Sequence, residues 1–221
     1  MSEASRSEFE AAIAAARENP EQEETWDQVE TLAGELDSPD DVAALFRDVL
    51  SRDLSPELAD QIGERAASFF EEWFGDDPTG LADVLGRVLE LNLEADWAFQ
   101  RLTLALTEAQ RWDQLLAVYD SIIARSEDLG RQVELLEEAS QVARDMADDS
   151  DKAIAYLKQL RPLKPEDDKL APALERLLEK HERWADLIEL WRTLLDDQTQ
   201  EEQATTLGRI SACYLDNLSD P

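Results

Sequence analysis

The chain has 221 residues, with 52 acidic and 21 basic side chains and a formal charge of −31. That charge excludes a free-standing nucleic-acid binder, whose phosphate contacts need clustered Lys and Arg, while a 43% hydrophobic content suffices for a core and excludes wholesale disorder. One cysteine, Cys213, and one histidine, His181, rule out an intrachain disulfide and a Cys/His zinc site.

Apolar residues recur at three- and four-residue spacing almost throughout, and no stretch alternates like a strand, which predicts an all-α fold. The first helix, 7–18, is alanine-rich, with Phe9 and Ile13 its large apolar residues. Helices follow over 25–37, 39–51, 56–74 and 78–91. Ser38-Pro39, Ser55-Pro56 and Asp77-Pro78 each set a capping oxygen before a proline at the first helical position. The remaining helices are expected over 95–109, 112–126, 129–147, 151–163, 168–181, 184–198 and 200–218, about twelve in all. Trp112 and Trp184 open equivalent helices and are expected to anchor packing. The last helix carries Leu207, Ile210, Tyr214 and Leu218 with nothing beyond to cover them. Ser219-Asp220-Pro221 stands in the phase at which Asp77-Pro78 enters another helix. The expectation is an N-terminal part of a longer array, or a C-terminal face docked on another subunit.

Internal repetition is the strongest signal. RWDQLLAVYDSII from Arg111 matches RWADLIELWRTLL from Arg183, 72 residues later, and the register continues through Leu135 and Leu207, Ser140 and Ala212, and Asp148 and Asp220. A step of 73 places Phe46 under Tyr119, Ile62 under Leu135 and Phe69 under Val142. Asn19-Pro20-Glu21 stands 145 residues before Lys164-Pro165-Glu166, two such steps. The chain divides into three units of four helices, 7–77, 78–150 and 151–221, forming one domain over 1–221, and each unit divides into two hairpins of roughly 36 residues.

In DKAIAYLKQLRPLKPED, Ala153, Leu157, Leu160 and Pro165 stand at the second-helix positions of the tetratricopeptide repeat (TPR), and Ile62-Gly63 and Leu207-Gly208 look like the Leu-Gly pair of its first helix. The chain resembles a divergent, two-hairpin member of that family. It departs in having Leu135-Leu136 in place of the pair, and Leu160 where the family keeps a small residue. The resemblance implies a right-handed α-solenoid superhelix and a binding role with no particular ligand. It also implies an inner face made by 129–147, 168–181 and 200–218, leaving Glu134, Glu138, Gln141, Glu175, Glu179 and Arg209 to touch a partner.

The acidity admits two readings: an electrostatic surface that steers a basic protein or peptide, or solubility at high ionic strength together with support of helix N-termini. All the lysines, Lys152, Lys158, Lys164, Lys169 and Lys180, lie in the third unit. Paired acids such as Glu71-Glu72 and Asp196-Asp197 fall at helix ends, as capping predicts. Neither a calcium-loop spacing nor a phosphate-binding glycine motif occurs, His181 is expected to bond a neighbouring acid at a hairpin junction, and Cys213 reads as a small semi-buried residue. No catalytic residue, metal or cofactor is expected. No uncharged run approaches the roughly 18 residues that cross a bilayer, and MSEASRSEFEAA lacks the basic start and apolar stretch of a signal peptide, so a cytoplasmic location is expected. The chain reads as a non-catalytic protein-interaction scaffold or adaptor. The rival roles are a regulatory or positioning arm of a larger enzyme or complex, and a chaperone for a basic protein.

Overall fold

The computed structural model describes residues 3–75 and 78–218. Among them the chain is all-helical: α1 (Glu3–Glu18), α2 (Glu23–Leu36), α3 (Pro39–Leu50), α4 (Pro56–Phe74), α5 (Pro78–Leu91), α6 (Asp96–Glu108), α7 (Trp112–Arg125), α8 (Leu129–Asp145), α9 (Ser150–Leu163), α10 (Leu170–Lys180), α11 (Trp184–Leu194) and α12 (Gln200–Cys213). A short 3-10 turn, Leu195–Asp197, follows α11, and a π-helical turn, Tyr214–Leu218, follows α12. No described helix is long and apolar enough to cross a membrane. The chain gathers into two compact units, one up to Val118 and one from Tyr119 onward.

Helix starts follow local chemistry. The Ser55 hydroxyl accepts from the Leu58 amide at 3.3 Å, and Asp128 accepts from the amides of Gly130 and Arg131 at 2.7 and 3.2 Å. Thr199 and Glu202 form a reciprocal capping box at α12, where the bonds from Thr199 hold the Glu202 carboxyl below the usual carboxylate range. Ser38 does not cap α3 as expected. Its amide already donates to Ala33 O at 3.0 Å to close the end of α2, and its hydroxyl turns back to Leu36 O. Asp77 and Ser219-Asp220-Pro221 lie outside the described residues.

The sequence echo has a backbone counterpart. Asp37, Gln110 and Glu182, 73 and 72 residues apart, are all left-handed, with φ of 52°, 53° and 55°. Each ends an even-numbered helix, and each is followed by an amide that reaches five residues back: Ser38 to Ala33, Arg111 to Leu106 and Arg183 to Leu178, at 3.0, 2.9 and 2.9 Å. That bond closes a Schellman turn, which normally favours glycine. The three turns therefore reuse one geometry with three different side chains.

In the first unit consecutive helices pack on each other, and α1 also touches α3, as α3 touches α5. Trp26 stacks on Phe46 with ring centroids 4.6 Å apart, and Phe46, Phe69, Phe70 and Phe74 continue the aromatic core. In the second unit α8 packs extensively along α9, and Leu135, Leu136, Leu157, Leu178, Leu187 and Trp191 are buried. Trp112 and Trp184, expected as anchors, are only half-buried, because each occupies the first position of its helix. Trp26 and Trp191, further along their helices, are the deeper tryptophans.

Cations tie alternate helices together. Arg17 of α1 bonds Asp48 of α3 at 3.0 Å, and Arg87 of α5 donates to Leu50 O at 2.8 Å. Arg65 of α4 makes a two-pronged bond to Glu30 of α2, at 2.6 and 2.9 Å, and also engages Asp27. Arg101 of α6 bonds Glu71 of α4 at 2.7 Å. In the second unit Lys152 of α9 bonds Asp120 of α7 at 2.8 Å, and Lys158 bonds Asp186 of α11 at 2.6 Å. Exposed pairs of this kind contribute roughly 0.2–1 kcal/mol each, with the partly buried bidentate Arg65–Glu30 pair at the strong end. Each of these bonds joins two helices that are two apart in chain order.

Candidate functional site

The six expected contact residues fall into two groups. Glu134, Glu138 and Gln141 lie on one exposed face of α8, at spacings of four and three residues, while Leu135, Leu136 and Ala139 turn inward. Glu138 is partly engaged: Tyr119 OH donates to its Oε2 at 3.1 Å. Burial, then the Glu138 charge, push the Tyr119 hydroxyl well above the ordinary tyrosine range.

The other three meet between α10 and α12. Arg209 bonds Glu175, lies 3.6 Å from Glu179, and sets its guanidinium 4.3 Å over the centre of the Trp191 ring. Glu175 and Arg209 are thus a rung of the same kind as Arg65–Glu30, spent on each other and on the tryptophan face. No hydrogen bond or ion pair among the described residues joins this group to Glu134, Glu138 and Gln141.

A third surface escaped the sequence reading. In the first unit a groove of about 530 Å³ runs between α2 and α4. Glu21, Glu23, Glu30, Glu64 and Glu72 line it, and its one cation, Arg65, is already held by Glu30 and Asp27. Trp26 and Phe69 form its floor, but both are buried, so carboxylates dominate what a ligand meets. Trp26 is itself fixed, its Nε1 donating to Pro20 O at 2.9 Å. Low-dielectric walls under a net negative charge concentrate the field at the groove.

His181 ends α10, its amide donating to Leu177 O at 3.2 Å, and its side chain makes no bond to a neighbouring acid among the described residues. Cys213 is buried in α12, with Asn217 Nδ2 3.8 Å from its Sγ. Among the described residues the acids converge on no cluster with the geometry of a metal site. The chain matches no protein-family model, and no curated protein matches it.

Proposed function

We propose that this chain is a non-catalytic interaction scaffold that works in the cytoplasm and binds a basic segment of another protein. The groove between α2 and α4 carries this reading. It has an aromatic floor and five glutamates, of which Glu30 is paired with Arg65, the only arginine lining it, leaving Glu21, Glu23, Glu64 and Glu72 around the rim. A Lys- or Arg-rich segment gains there by charge complementarity and by steering during approach. The exposed acids of α8, Glu134 and Glu138, form a second surface of the same sign.

In this reading the helix pairs of roughly 36 residues stack as a divergent TPR-like solenoid of right-handed sense, in units 7–77, 78–150 and 151–221. The left-handed turns at Asp37, Gln110 and Glu182 support the repeat, and so do the rungs between alternate helices. The role of positioning arm for a larger complex is favoured by the exposed apolar residues of α12.

The test is binding of a Lys/Arg-rich peptide to the full chain at low and high salt. Affinity should fall steeply as the Debye length shrinks from about 10 Å at 0.1 M to about 3 Å at 1 M. The double change Glu64→Lys with Glu72→Lys should abolish binding without loss of helicity. Salt-insensitive binding, or none, overturns the proposal.

A further inference from the structure

A second groove, of about 480 Å³, runs between α4 and α6. Two exposed residues of α4, Glu64 and Ser68, line both this groove and the acidic one between α2 and α4. Only the outer edge of α4 separates the two. That edge carries Ser68, a small side chain whose hydroxyl turns back to Glu64 O at 3.0 Å and so adds no bulk. The acidic groove therefore continues over a low point of α4 into the second.

The two grooves differ in chemistry. The wall that α6 gives the second is Trp97, Gln100, Arg101 and Leu104. Arg101 is held by Glu71 at 2.7 Å, so its charge is already met. Leu104 is 58% exposed, and among the described residues up to Val118 no other large apolar side chain is exposed to that degree. Trp97 is lodged against α4, since its Cη2 and Cζ2 would stand 3.3 and 3.4 Å from a Cβ on Gly63. Beyond Leu104, the half-buried Phe74 and Leu81 line a further groove with it. An exposed leucine alone is ordinary surface. One that stands between a fixed tryptophan and further apolar side chains, next to a groove rimmed by carboxylates, makes an apolar seat beside a charged one.

We propose that the partner's basic segment has a large apolar side chain close to one end, and that Trp97 and Leu104 receive it. The inference rests on the scaffold reading and specifies the ligand of that same site. An extended Lys/Arg-rich stretch lies among Glu21, Glu23, Glu64 and Glu72, crosses α4 at Ser68, and seats an aromatic or aliphatic residue between α4 and α6. A helix with its side chains is about 10–12 Å across, and extended chain advances about 3.3 Å per residue. The apolar residue therefore stands about three or four positions from the nearest base. The carboxylates attract basic segments in general and speed their approach, whereas an apolar anchor fits at one spacing and so supplies the discrimination.

The test titrates the full chain into labelled peptides and follows fluorescence anisotropy. The peptides are a Lys/Arg-rich stretch alone, the same stretch with a phenylalanine about three positions beyond one end or the other, and the same with the phenylalanine about eight positions beyond. The near phenylalanine, at one of the two ends, should tighten binding roughly tenfold, the scale of an apolar anchor, and the far one should not. The gain should persist as salt is raised while the affinity of the bare stretch falls. Leu104→Gln should remove the gain, leave the bare stretch binding as it does to the parent, and keep the helicity, since Leu104 is exposed. If the bare stretch binds and the phenylalanine adds nothing, or adds as much after Leu104→Gln, the inference is overturned and the scaffold reading stands. If no peptide binds, both fall. Self-association of the chain that Leu104→Gln abolishes also overturns the inference, since the occupant would then be a second copy.

Discussion

Tyr156 of α9 donates its hydroxyl to Asp120 Oδ1 of α7 at 2.6 Å while Lys152 holds the other oxygen of the same carboxylate at 2.8 Å. Burial, then the bond to Asp120 and its charge, push the Tyr156 hydroxyl far above the ordinary tyrosine range. Tyr119 is raised in the same direction by burial and by Glu138.

A tyrosine that ionises later in the folded than in the unfolded chain adds stability that is fully present below a pH of about 10 and lost as pH climbs toward the folded value. The fold should therefore hold through pH 9 and weaken above about 10, and Tyr156→Phe should flatten that alkaline loss. Ultraviolet absorbance of tyrosinate, followed together with circular dichroism, checks it. The Tyr119 and Tyr156 signals should appear with unfolding. Their appearance near pH 10 in a chain that is still fully helical would refute the assignment.

Gly63 and Gly208 share a place in the repeat and meet opposite surroundings. Gly63→Ala forces a methyl against the buried Val88 and should cost roughly 1–3 kcal/mol. Gly208→Ala meets open space in mid-helix and should stabilise by up to about 1 kcal/mol. Urea denaturation of the two variants reads both signs. Equal effects would deny that α4 and α12 differ in cover.

The positions of the helices were legible because the 3.6-residue apolar period and the proline entries are local. Most predicted helices agree with the observed ones within two residues at either end. The differences are also local in origin. The expected helix 184–198 yields to a 3-10 turn at Leu195, just ahead of the Thr199 capping box. The expected start at 168 moves to Leu170 because the Asp167 side chain takes the Lys169 amide at 3.0 Å. The surfaces were less legible. Glu175 and Arg209 read as free contact residues because a 34-residue pairing leaves no local mark. The groove was missed for the same reason, since Glu23 and Glu64 become neighbours only when α2 lies beside α4.

Gln110 and Glu182 hold left-handed backbone without glycine, a conformation that costs an L-residue roughly 1–2 kcal/mol. Glycine removes that strain but adds freedom to the unfolded chain. Gln110→Gly and Glu182→Gly should therefore each stabilise by somewhat less than about 1 kcal/mol, and Glu182→Val should destabilise. Thermal unfolding monitored by circular dichroism gives the order. A glycine variant less stable than its parent would contradict the shared turn geometry.

The central claim, that unneutralised carboxylates in a shaped groove select a basic segment, is tested most directly by mapping where such a segment lands. An isotope-labelled chain titrated with a Lys/Arg-rich peptide at low salt should show amide shift changes concentrated in residues 21–30 and 61–72, with the Trp26 indole among them, and the changes should vanish at high salt. Shifts spread evenly over all acidic helices, or none near Trp26, would contradict it and leave the charge to solubility alone.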